Sequence, residues 1–189
     1  MKEMVNPFLV GKRVYLRPHV ETDLLEWTAW FNDPEVTRNL EQAYFPNTVV
    51  AQTRRLESLY KDRSTVQLAV VDKRSGKLAG TVGLHQINLF NRNADVSIVV
   101  GNKTFWGSGL GREAVALAVG HGFDKLNLHK ITAGMVVANR ASTKLFLELG
   151  FRKEALIKEQ LYIGGKYQDM ILVAAFKDRW NRGRKRRAA

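Results

Sequence analysis

Hydrophobic and polar positions change period several times along the chain, and each change marks an element. "RVYLRP" at 13–18 reads as a first strand. In "ETDLLEWTAWFND", Leu24, Trp27 and Phe31 share one face of an amphipathic helix that Asn32, Asp33 and Pro34 stop. A second helix is expected over residues 48–60. "VQLAVVD" and "LAGTVGLHQI" are strands joined by the polar turn "KRSGK", which makes a hairpin, and "ADVSIVVG" is a third strand. Over 112–126 the period becomes helical, with Val115, Val119, Phe123 and Leu126 at spacings of four, four and three. "HKITAGMVV" is a buried strand. The next helix opens on Asn139, a good N-cap residue, and closes on Gly150, a good residue just past a helix end. "EQLYIGGKYQDMILVAAF" finishes the series as a hairpin turning at Gly164 and Gly165. Such an order predicts an α+β (mixed α/β) fold, with one mixed sheet flanked by helices.

One stretch stands out from this periodicity. "FWGSGLGREAVAL" places Gly107, Gly109 and Gly111 between a strand and a helix. A glycine costs about 0.5–1 kcal/mol in ordinary regular structure, so three together need a reason. The first amides of a helix have no intrahelical partner, and residues without side chains let phosphate oxygens reach the backbone, so the stretch predicts an anion site. A tight turn with no ligand is the plain alternative. The stretch is not a P-loop, because Arg112 and Glu113 follow the last glycine where Lys-Ser or Lys-Thr is needed. Nor is it a dinucleotide fingerprint, because "LNLHK" stands where the acid should be.

Composition narrows the partners. A chain of 189 residues, 45% hydrophobic, fits one domain over 1–180, followed at 181–189 by a basic tail expected to be disordered. The absence of cysteine excludes disulfides and thiolate ligands, and four scattered histidines give no metal site. With no signal-like or membrane-length apolar run, the expectation is a cytoplasmic protein without membrane contact. The net charge is +12; five of these charges are Arg182, Arg184, Lys185, Arg186 and Arg187, and +7 remains on the body. A basic body draws acidic partners such as a phosphate-rich cofactor, and the tail suggests weak nucleic-acid or ribosome contact.

The stretch Trp106-Gly-Ser-Gly109-Leu-Gly111 resembles motif A of the GNAT superfamily of acetyl-CoA-dependent N-acetyltransferases, with Trp in place of the usual Gln or Arg. "FWGSGLGREA", "HKITAGMVVANRASTKLFLELGF" and "YIGGKYQDMILVAAF" are together similar to the branch containing the ribosomal-protein N-terminal (alanine) acetyltransferases. The resemblance implies a sheet splayed between two parallel strands, "ADVSIVVG" and "HKITAGMVV". It implies acetyl-CoA as cosubstrate, its pantetheine arm pairing with Val99 and Val100. Its pyrophosphate would meet the amides of Trp106, Gly107, Ser108, Gly109, Leu110, Gly111 and Arg112, with Lys103 a further phosphate partner beside Arg112. A primary amine, on a protein N-terminus, an amino-sugar nucleotide or another small molecule, would attack the thioester directly in a monomer or homodimer.

Such a reaction needs an acceptor for the amine proton and a donor for the leaving thiolate. The tyrosine that many superfamily members place seven residues after the asparagine is Phe146 here. The resemblance therefore offers Ser142 as thiolate donor and Asn139 as holder of the thiol end; the plain alternatives are a first-turn hydroxyl and a helix cap. His85, with an ordinary pKa near 6.5, is the base candidate, and Asp95, Glu154 and Asp169 are other carboxyl groups beside strands. Trp27, Trp30 and Phe31 read as core before acceptor wall. Two other readings are a non-catalytic acyl-CoA sensor and an RNA-associated module relying on the tail.

Overall fold

The computed structural model describes residues 4–40, 44–61 and 63–181; most of the predicted basic tail lies outside them. The elements run β1 (Leu9–Val10), β2 (Val14–Arg17), a 3₁₀ turn at Glu21–Asp23, α1 (Leu24–Asn32), α2 (Pro34–Thr37) and α3 (Val49–Lys61). Then come β3 (Val66–Asp72), β4 (Leu78–Asn88), β5 (Asn93–Val99), α4 (Leu110–Asp124), β6 (Lys130–Val136), α5 (Arg140–Leu149), β7 (Arg152–Ile163) and β8 (Lys166–Phe176). All eight strands join one sheet in the order β1-β2-β3-β4-β5-β6-β8-β7. Only β5 and β6 pair in parallel.

Alternation along the central strands sorts side chains to two faces. Leu68, Val82, Leu84, Ala94 and Val96 pack with Ala114, Val115, Val119 and Phe123 of α4. On the other face Tyr15, Ala69 and Val71 pack with Leu24, Trp27 and Trp30 of α1 and Leu56 of α3. Trp30 is buried where Phe31 is only half-buried, and its ring fills the place a Gly101 side chain would take. Asp33 both ends α1 and caps α2, its carboxylate accepting from the Glu35 amide, so the predicted stop is also a restart.

The parallel pairing positions the site. β5 and β6 are in register only at Asn93–Lys130, Ala94–Ile131 and Asp95–Thr132. Beyond Asp95, β5 stays paired with β4 as far as Val99, while β6 stays paired with β8 as far as Val136. The two strands therefore part, and a gap opens with Asp95 and Thr132 at its apex.

Candidate active site

The glycine loop stands at the mouth of this gap. Gly107 and Gly109 take left-handed backbone, at φ +70° and +82°, which only glycine adopts cheaply. Gly111 has a different reason, since a Cβ there would stand 3.0 Å from Cγ2 of Val100, so α4 lies hard against β5. The amides of Gly107, Gly109, Gly111 and Arg112 donate to no other group among the described residues. Nothing lies within 4 Å of where a Gly107 side chain would project. Bare amides, open space and the positive end of a fifteen-residue helix make an anion site.

A cleft of about 700 Å³ runs from the loop along Val99 and Val100 to Asn139 and Ser142 at the start of α5. Trp106, Gly107, Ser108, Gly109, Gly111 and Arg112 also line it. Leu110 does not: its side chain is in the core, and its amide turns to the Ser108 hydroxyl at 3.4 Å. Trp106 donates its indole N–H to the Val100 carbonyl at 2.7 Å, so that oxygen already has a partner. A Cβ on Gly80 would collide with the Val99 carbonyl, which places that oxygen against β4, and Val99 is among the residues that line the cleft.

Lys103 departs from expectation. It ion-pairs with Asp33 at 2.7 Å and with Glu35, and it does not line the cleft. Arg112 lines the cleft and bridges α4 to α5 through Glu148 at 3.2 Å. Arg13, which the sequence did not single out, braces the loop. Its guanidinium donates to the Ser108 carbonyl at 2.8 Å and its amide to Glu113 at 2.9 Å.

At the start of α5 the Asn139 side chain caps the helix, accepting from the Ser142 amide at 3.1 Å. The Ser142 hydroxyl makes no hydrogen bond among the described residues, and Ser142 lines the cleft. Phe146 is 2% exposed and packs edge-on against Phe151, so the position seven residues past Asn139 belongs to the core.

The sheet face opposite α4 carries a polar row. Asp95 accepts from the Thr132 hydroxyl at 3.0 Å. Burial pushes its carboxyl up to about 6, against the lowering effect of that hydrogen bond. His85, opposite Asp95 in the β4–β5 register, hydrogen-bonds the Ser97 hydroxyl at 2.8 Å and lies outside the cleft lining. Burial, then the nearby Arg55 charge, hold its pKa below the ordinary value. Glu154 pairs with Lys130, and Asp169 with Lys158, both at 2.8 Å. No cluster of potential metal ligands occurs among the described residues, and no described helix is long and apolar enough to cross a membrane.

Known proteins share this arrangement. The model of the acetyltransferase (GNAT) domain matches residues 13–152. A spermidine N(1)-acetyltransferase from Vibrio cholerae is 31% identical, the match covering 75% of this chain and 74% of that protein. YdaF of Bacillus subtilis, named for ribosomal N-acetylation, is 24% identical over 72% of this chain and 71% of its own. The crystal structure of Vibrio cholerae spermidine N-acetyltransferase with CoA and spermine superposes at a TM-score of 0.83, with 25% identity over 90% of this chain and 99% of that one. The chain thus belongs to the GNAT acetyltransferase family, and it is an acetyl-CoA-dependent N-acetyltransferase.

Proposed function

We propose that the gap between β5 and β6 holds the pantetheine arm of acetyl-CoA, the glycine loop its pyrophosphate, and that an amine enters from the sheet face opposite α4. The observation that carries this is the parting of β5 from β6 directly beside a loop of unpartnered amides. Bound acetyl-CoA supplies a thioester whose carbonyl carbon bonds to the amine nitrogen as its C–S bond breaks. Asp95, at the apex, takes the proton that the amine must lose, and a carboxyl group with a pKa of about 6 is suited to that near neutral pH. His85 is the less suited base, since its Nε2 is engaged by Ser97 and burial, then the Arg55 charge, make it a weaker base than an ordinary imidazole. Ser142 gives its hydroxyl proton to the departing thiolate and recovers one from solvent. Asn139 fixes the helix start that aims that hydroxyl. Backbone N–H groups of the free β5 edge, where residues alternate in direction, face the carbonyl oxygen as it gains negative charge.

The acceptor is a primary amine whose remainder is not a polycation. Asp33 and Glu35 are committed to Lys103, which leaves Asp95 as the carboxyl group of the described polar row. The α-amine of a protein N-terminus, as in the ribosomal branch, meets this condition.

Calorimetry with acetyl-CoA tests the reading. Gly107→Glu would carry a negative side chain into open space, and Gly107→Ala, which imposes the same left-handed strain without the charge, is its control. Binding is expected to disappear while the variant still melts cooperatively. Unchanged affinity would remove the loop from the cofactor site. Ser142→Ala, measured in the same series, is expected to keep acetyl-CoA affinity and lower kcat by roughly 10- to 10⁴-fold.

A further inference from the structure

Arg55 of α3 stands over the polar face, where one of its terminal nitrogens donates to Oε1 of Gln67 at 3.1 Å. That neutral oxygen is its one hydrogen-bond partner among the described residues, and no carboxylate there pairs with it. Arg13, Arg17 and Arg112, by contrast, each hold a carboxylate. A guanidinium has five N–H donors, so most of those on Arg55 are unspent. Arg55 is exposed to an incoming ligand, and the protein beside it shields the guanidinium in part without supplying a counter-charge, which lowers its pKa from the ordinary value.

Gln67 is held in place from behind. Its amide nitrogen donates to the Thr81 hydroxyl at 3.0 Å, which fixes the amide oxygen toward Arg55. The Thr81 hydroxyl also lies 3.0 Å from Nε2 of His19 and 3.3 Å from the Leu68 carbonyl. His19 is fully buried, stacked on Trp27 with ring centroids 4.3 Å apart, and its Nδ1 lies 3.5 Å from Asp23. A charged side chain on the acceptor face is thus oriented by a buried network and given nothing charged to bind.

Resting on the acetyltransfer reading above, we propose that Arg55 is the receptor for an anionic group on the acceptor, so that the preferred substrate is an amine carrying a carboxylate at its far end. Gln67, Gly83 and Ser97 lie side by side on β3, β4 and β5. Two strand spacings and one two-residue step separate Gln67 from Asp95, so amine and anion sit roughly 8–12 Å apart. The floor between them is low: Gly83 has no side chain, and the His85 ring lies where one would be, tied to Ser97. An α-amino acid is too short for this span, while an ω-amino acid or a short peptide fits it. A polyamine would set a second ammonium against Arg55.

Three acceptors of equal length separate these cases: 7-aminoheptanoate, heptylamine and 1,7-diaminoheptane, with CoA release measured at neutral pH. The wild-type kcat/KM is expected to favour the carboxylate over heptylamine by about 10- to 100-fold, the yield of a charge-assisted hydrogen bond, and to be lowest for the diamine. Arg55→Ala should bring the carboxylate-to-heptylamine ratio near one, Arg55→Lys should keep part of it, and Arg55→Glu should put the diamine first. A wild type that prefers the diamine, or a ratio untouched by Arg55→Ala, overturns the proposal and leaves acetyltransfer standing. No turnover of any of the three overturns both.

Discussion

Asp95 and Asp23 are both carboxyl groups held in protein, and their surroundings drive them in opposite directions. Among the described residues Asp95 has one hydroxyl partner and no cation, so burial dominates and its pKa rises to about 6. The folded state then binds the proton more tightly than the unfolded chain, whose value is about 3.9. The contribution of Asp95 to stability is complete below about pH 4 and is lost as pH rises through about 6. Asp95→Asn should therefore be more stable than wild type at pH 8 by about 1–3 kcal/mol, the difference closing below pH 4. The same variant should lose the acidic limb near pH 6 from its rate profile and drop in kcat by roughly 10²- to 10⁴-fold. Thermal melts and rate–pH profiles on one preparation check both. Greater stability with lower activity is the mark of a group kept ionised for chemistry, and an equally active Asn variant would strike Asp95 from the mechanism.

Between β5 and α4, three glycines that look alike in the sequence serve two purposes. Gly107 and Gly109 bend the chain through left-handed backbone, whereas Gly111 lets α4 approach β5. In Gly111→Ala the new Cβ would start 3.0 Å from Cγ2 of Val100, so that side chain or the helix must give by a few tenths of an ångström. The expected cost is about 1–3 kcal/mol by urea unfolding, together with weaker acetyl-CoA binding, because the amides at the helix start move with it. The loop itself was legible, as were the main helices and the strands β3 to β6, because strong periodicity and turn residues are local signals. β7 was read only from its later part; it lies exposed at the sheet edge, so its first residues carry no alternation of burial. The parting of β5 and β6 follows from pairing with β4 and β8, which no short stretch encodes, and it entered only through the family resemblance. Arg13 and Arg55 were missed because their partners are distant elements: Arg13 reaches Ser108 and Glu113, and Arg55 sits on a helix whose own sequence reads as ordinary and amphipathic. Lys103 was misjudged for the same reason, its acids lying at the start of α2.

Across the whole molecule, the sheet separates a large core under α4 from a smaller one built on Trp27, Trp30, Tyr15 and Leu56. The smaller layer lies on the same side of the sheet as the polar row, and one ion pair closes it. Arg17, at the end of β2, meets Asp23 through two hydrogen bonds of 2.6 and 2.7 Å, with both side chains almost wholly buried. Burial alone would raise the Asp23 carboxyl, but hydrogen bonds from Arg17, His19 and the Val20 amide hold it well below the usual carboxylate range. Its contribution to stability is therefore present above the unfolded value of about 3.9 and is lost as pH falls below it, the opposite sense to Asp95. Asp23→Asn would strand the Arg17 charge in a closed environment and loosen His19, Thr81 and Gln67 in turn. A loss of about 3–5 kcal/mol is expected at pH 7, smaller by about 1 kcal/mol at pH 3, where the unfolded wild-type chain takes up a proton on this carboxylate while the folded one stays ionised. Urea unfolding at pH 7 and pH 3 measures both terms. If the small layer loosens first, exchange of the α1 and α3 amides should speed up before that of α4, and carboxylate selectivity at Arg55 should fall while acetyl-CoA still binds. Equal acceleration across all three helices would mean that the molecule opens as one cooperative unit and that the pair stabilises the whole sheet.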